Sequence, residues 1–233
     1  MTVSHKLISA LRRELAAAAK PTDAPQMQSY MKSSMPYYGV KATPLRKIAK
    51  DVFARFPLES FEDWHDTVLA LWRKAKFREE RYCTIELCGY KPYKRYQTLD
   101  TLPLYEELIV TGAWWDFVDP IAAHRLGDLL RSYPKPMKAC FLQWSVDDNM
   151  WKRRGAILSQ LRFKDETDLK LLYQCIKPSL ESDEFFLQKA IGWALRAYAW
   201  CDIAEIERYV EANQHRLSKL SQREALKNRD KLK

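Results

Sequence analysis

The run Thr111-Gly112-Ala113-Trp114-Trp115-Asp116-Phe117-Val118-Asp119 places two tryptophans and two aspartates within six residues. If a helix begins near Trp115, then Trp115 and Asp119 lie four apart and project from one face, an indole beside a carboxylate. Both groups attract positive charge, the carboxylate by Coulomb's law and the indole through its π face. Asp116 is three residues from Asp119 but falls at the helix start, where acids are favoured. The plainer reading makes Trp114 and Trp115 core anchors and Asp119 an ordinary surface or capping acid.

Two further clusters have chemical content. Asn149-Met150-Trp151-Lys152-Arg153-Arg154 opens a helix. Three consecutive cations cannot share one face, so Arg154 can point into a groove while Lys152 points elsewhere. A guanidinium suits phosphate because its planar fork bonds two oxygens at once. Arg162 and Lys164 extend the basic character about two turns on. The bland alternative is a solvated charged face. The other cluster is Gln188-Lys189-Ala190-Ile191-Gly192-Trp193-Ala194-Leu195-Arg196. A glycine inside a helix costs about 1 kcal/mol relative to alanine and marks a close backbone approach. Trp193 beside it is either core or an indole offered to a ligand. Tyr30 and Tyr37-Tyr38 add aromatic surface near the N-terminus, and the stretch from Arg216 to Lys233 is strongly basic.

Helices must position these residues. Apolar side chains recur at helical spacing in about a dozen segments joined by short connections, and no segment alternates at period two. The pattern predicts helices over 3–19, 27–34, 60–72, 77–88, 103–111, 115–132, 136–145, 149–163, 167–177, 183–200 and 203–213, with a basic last helix from about 221. Thr43-Pro44 predicts an N-cap followed by proline at the first helical position. Ser60 predicts a cap with Asp63 as its reciprocal acid. Successive helix pairs of roughly forty residues suit a HEAT-like solenoid, an all-α fold with a concave basic groove. The rival is an irregular bundle. No Gly-, Ser- or Pro-rich linker interrupts the chain, so residues 1–233 are expected to form a single domain.

The totals agree. The chain has 233 residues, only 6 of them glycine, which leans away from a many-hairpin β fold. A net charge of +9 favours a polyanionic partner: DNA, RNA or an anionic membrane. The five cysteines form no CxxC pair and read as reduced core thiols, and the four histidines lack zinc-site spacing. No metal site is expected. No apolar run is long enough to span a bilayer, and no signal-peptide pattern opens the chain, so no membrane partner is expected.

Taken together, these segments resemble the AlkD-type DNA alkylation repair glycosylases, a HEAT-like family. The resemblance runs through Gln28-Ser29-Tyr30-Met31-Lys32, Gly39, Thr43-Pro44-Leu45-Arg46-Lys47, the Trp114–Asp119 run, Asp148-Asn149-Met150-Trp151 with Arg153-Arg154, and Phe185 to Trp193. It ends at Leu217-Ser218 and Arg223-Glu224-Ala225. It implies a DNA glycosylase that hydrolyses the N-glycosidic bond of cationic N3- or N7-alkylated purines in duplex DNA, without flipping the base into a pocket. By motif position it implies that Asp119 is the catalytic carboxylate and that Trp115 and Trp193 border the lesion's deoxyribose. Arg154 would contact the DNA backbone, and Tyr30 would lie near the lesioned pair. Lys41 stands where relatives can carry a polar amide, and the Gly39–Pro44 stretch is one residue longer. Arg153 and Arg162 complete the expected DNA-binding set.

The enzyme so implied needs no cofactor. It would act as a monomer in the cytoplasm, nucleoid-associated if bacterial. The alternatives are a non-catalytic HEAT-like module that binds damaged or branched DNA, and a protein-binding solenoid with incidental charge.

Overall fold

A computed structural model describes residues 3–232, and among these there is no strand: the chain is all-helical. It divides into two compact units, one ending at Leu104 and the other beginning at Tyr105. The boundary falls inside helix α6 (Leu102–Gly112) rather than in a linker, so a search for linkers has nothing to find there.

The first unit contains α1 (His5–Ala17), α2 (Ala24–Tyr30), α3 (Ala42–Arg55), α4 (Phe61–Arg73) and α5 (Arg78–Gly89), followed by 3₁₀ turns at Lys91–Tyr96 and Leu99–Thr101. Its core is the apolar stripe of each helix, with Leu7, Leu11, Leu15, Val52, Phe53, Trp64, Leu71 and Leu87 buried. Ser60 caps α4 as expected, its hydroxyl accepting from Asp63 N at 3.0 Å. The expected cap at Thr43 is corrected. Helix α3 starts two residues earlier, with Lys41 at the N-cap and Pro44 in its first turn, where a proline is still tolerated because that N–H has no intrahelical acceptor. Helix α2 likewise begins at Ala24, with Pro25 in its first turn, and ends before Lys32, whose φ is +47°.

The loop between α2 and α3 is held from beneath. The buried Glu79 carboxylate accepts from Tyr38 N at 3.1 Å, Gly39 N at 2.9 Å and Val40 N at 3.1 Å. Gly39 has φ +82°, and a Cβ there would collide with the Lys20 carbonyl.

The second unit is a two-layer stack. One layer holds α7 (Trp115–Pro120) and α8 (Gly127–Ser132), then α10 (Met150–Leu158), α12 (Phe185–Ala199) and α14 (Lys219–Ala225). The other holds α9 (Pro134–Trp144), α11 (Leu169–Ile176) and α13 (Ile203–Ala212). Within the first layer α10 packs on α12 and α12 on α14; within the second, Tyr173 of α11 stacks on Tyr209 of α13 at 4.0 Å. A short α15 (Arg229–Leu232) follows. This alternation is the helical-repeat arrangement that the periodicity implied. Side-chain caps fix the start of four of these helices: Asn149 for α10, Asp168 for α11, Asp202 for α13 and Ser218 for α14.

One expected helix, 115–132, is interrupted. Pro120 lies inside it and has no N–H to donate, and its ring needs room beside the preceding turn. The chain responds with a widened π-type turn at Ile121–Leu126 before resuming as α8. Three of the five cysteines (Cys83, Cys88, Cys175) are buried as expected, whereas Cys201 is exposed; all five are free thiols.

Candidate active site

Arg154 is the centre of the site. It lies on α10 on the same stripe as the buried Trp151, Gly155 and Leu158, so the helix phase that Asn149 sets carries it inward. Its side chain is 1% exposed. The fork meets Asp119 head on: Nε donates to Oδ1 at 2.7 Å and Nη2 to Oδ2 at 2.8 Å. Nη1 donates to the Phe186 carbonyl near the start of α12. The guanidinium carbon sits 5.3 Å from the Trp193 ring centroid and 5.9 Å from that of Phe186. Three helices therefore converge on one buried cation.

Asp119 comes from α7, one turn after Trp115 and immediately before Pro120. Its side chain keeps 17% exposure, so the group is paired with the fork yet not sealed from solvent. Two of its roughly four lone-pair positions are taken by the fork, which leaves two for other donors. Burial pushes the Asp119 carboxyl above the ordinary aspartate range; Arg154 opposes that rise, and the nearby Asp116 charge adds to it.

The approach to α7 is strained. Ala113 has φ +44°, a conformation costing a non-glycine residue about 1–2 kcal/mol, and it turns the chain from α6 into the extended Trp114. Trp114 does not share the Trp115 face. Its ring lies 5.2 Å from Phe186 and 6.2 Å from Trp151, an aromatic cluster backing the Arg154 site.

Trp193, on α12, donates its indole N–H to Glu224 Oε2 at 3.2 Å. Glu224 also accepts from Lys189 Nζ at 2.7 Å and Arg196 Nη1 at 2.6 Å. Burial raises the Glu224 carboxyl, but the two cations outweigh it and hold the group below the ordinary glutamate range. Gly192 makes this possible. A Cβ there would overlap Glu224 Cβ and come 3.0 Å from the Ser221 carbonyl, the close approach that a mid-helix glycine implied.

Residues 11–228 match the profile of the DNA alkylation repair enzyme family. The chain belongs to that family. It is also similar to a solved structure described as a predicted DNA alkylation repair enzyme from Enterococcus faecalis. The two are 28% identical with a TM-score of 0.80, over 90% of this chain and 95% of that one. None of the curated proteins matches it.

In this repair-family chain the structure brings Asp119, Arg154 and Trp193 into one contact set, with Trp115 on the Asp119 helix. Arg154, expected at the DNA backbone, has no exposed fork here. It is buried, and its fork is engaged by the carboxylate. Arg153 is half-buried, its Nε enclosed without a partner, and Arg162 is exposed, with Nη1 2.7 Å from His124 Nδ1. Tyr30 (75% exposed) and Lys41, whose Nζ lies 3.2 Å from Asp23, belong to the first unit.

Phe186 and Glu224 fall within the segments that carry the resemblance, but the sequence assigned neither of them a role. Phe186 contributes a carbonyl, which no sequence pattern reports. Glu224 had a signal: it is the one acid between Leu217 and Leu226, in a stretch that Gly192 requires some neighbour to fill. Among the described residues no group of three or more His, Cys, Asp or Glu side chains is arranged to hold a metal ion, and no helix is long and apolar enough to cross a membrane.

Proposed function

We propose that the protein is a DNA glycosylase that releases cationic N3- or N7-alkylated purines, such as 3-methyladenine and 7-methylguanine, from duplex DNA, in the manner of the AlkD-type enzymes. The observation that carries this reading is the Asp119 carboxylate, fixed by a buried guanidinium yet not sealed from solvent.

Alkylation at N3 or N7 leaves the base positively charged. As the C1′–N bond breaks, its electron pair goes to the base, which departs neutral, and positive charge develops on the sugar. A carboxylate held rigid beside C1′ stabilises that charge without reorganising, because Arg154 fixes its orientation beforehand. The free lone pairs accept from a water, whose oxygen bonds to C1′ while a proton passes to Asp119 and on to solvent. Trp193 and Trp115 add π faces worth about 0.5–2 kcal/mol each toward a cation, depending on desolvation. Arg154 is a positioning residue in this scheme. DNA contact falls to other groups: the exposed Arg162 and the half-buried Arg153 in the second unit, Tyr30 and Lys41 in the first. One chain suffices for the site, consistent with action as a monomer.

The test is release of free base from methylated duplex by wild type and Asp119→Asn under single-turnover conditions. The variant is expected to lose at least a hundredfold in rate while its DNA affinity stays within a few-fold. Removing the charge also leaves Arg154 without its counter-ion, a loss of about 3–5 kcal/mol for a buried pair, so rates are compared well below the variant's melting temperature. Equal rates for the two proteins sink the assignment. A second reading, a non-catalytic module for damaged DNA, is favoured by one observation: both Asp119 oxygens are engaged, as in a structural ion pair. It expects no released base from wild type at all.

A further inference from the structure

Glu224 is 8% exposed and faces α12 at the gap left by Gly192. Its three donors are all on that helix. Lys189 and Arg196 lie four residues before and three after Trp193, so both cations flank the indole. Lys189 Nζ is also 5.1 Å from the Trp193 ring centroid. A residue that only filled space would have no need of a charge here. Burying a carboxylate is costly unless its partners recover that cost, and here they are the two cations that flank Trp193 on its helix and the ring's own N–H. Trp193 thus touches two charged groups of opposite construction: Arg154 with its carboxylate on one hand, Glu224 with its two cations on the other.

We propose that Glu224 is the positioning residue for Trp193. Its carboxylate fixes the indole through the Nε1–H bond. It also offsets one of the two positive charges it pairs with, Lys189 and Arg196, so that the indole meets a cationic sugar in a less repulsive surround. The kinetic half of this inference rests on the glycosylase reading; the structural half rests on the hydrogen bond alone and is measured separately.

The structural half is read by proton–nitrogen spectra, in which each tryptophan gives one indole N–H signal. Trp193 is assigned by the signal lost in Trp193→Phe. In Glu224→Gln that signal shifts, while those of Trp64 and Trp72 stay. In the kinetic half, Glu224→Gln lowers the single-turnover excision rate at least tenfold, with duplex affinity unchanged or tighter because a negative charge has gone. Lys189→Met/Glu224→Gln restores the local charge balance and recovers most of the rate; it also serves if Glu224→Gln alone does not fold.

An unmoved Trp193 signal in a folded variant overturns the positioning claim. A parallel loss of rate and affinity that the double variant does not recover reduces Glu224 to a packing role and overturns the charge claim. Wild type that releases no base defeats the glycosylase reading instead, and the indole signal still decides whether Glu224 holds Trp193.

Discussion

At the scale of single residues, the Asp119–Arg154 pair ties protonation to rate. Burial raises the Asp119 carboxyl, Arg154 restrains the rise and Asp116 adds to it. Catalysis needs the ionised form, so excision is expected to fall as pH drops through the Asp119 value, on a limb that lies above the ordinary aspartate range. Arg154→Lys keeps the charge but loses the fork, so its restraint weakens and the limb moves to higher pH. Asp116→Asn removes a neighbouring negative charge and moves the limb lower. A rate–pH profile under single-turnover conditions reads both shifts, and limbs that coincide with wild type would separate Asp119 from the rate. Stability runs the opposite way. A carboxyl raised on folding favours the fold most when protonated, and that contribution fades as pH rises through the folded value. The carboxylate was legible in the sequence because a helix starting at Trp115 gives it a face. The inward turn of Arg154 was not, because three consecutive cations look like solvent-facing residues until the phase set by Asn149 is known.

At the scale of helices, the site depends on how closely α12 and α14 approach. Gly192→Ala puts a methyl group into Glu224 Cβ and toward the Ser221 carbonyl, backbone that cannot swing aside. The expected cost is about 1–3 kcal/mol, read as a lowered midpoint in urea or heat. Because the strain falls on Glu224, Trp193 is displaced as well, and excision should fall further than for a destabilising change of equal size in the first unit, such as Val52→Ala. An equal activity in the two variants would mean that the α12–α14 spacing is not coupled to the site. Helix existence was readable almost throughout from apolar spacing. The ends were less so: α2 starts at Ala24 rather than 27, and α3 starts earlier than Thr43-Pro44 suggested, since a proline fits a first turn rather than one fixed position. The break after Pro120 was missed for a related reason. Proline forbids one hydrogen bond, but whether a helix kinks, ends or widens depends on what packs against it.

At the scale of the whole chain, a net charge of +9 sets the expected behaviour toward DNA. Each cation that meets a phosphate releases counter-ions, so affinity falls linearly with salt on logarithmic axes, by a slope of about 0.9 for each contact on a duplex. The slope counts only charges that reach the backbone, which makes it a direct test of which arginines do. Arg162 is exposed, with a guanidinium nitrogen near His124, and its replacement by alanine should reduce the slope by about one, uniformly across sequences. Arg154 is enclosed, so removing its charge in Arg154→Met should leave the slope unchanged while lowering the excision rate. The pair of variants distinguishes the two uses of a guanidinium that the sequence alone left merged. If Arg154→Met lowers the slope and Arg162→Ala does not, the buried fork opens on binding, and the phosphate contact belongs to Arg154 after all.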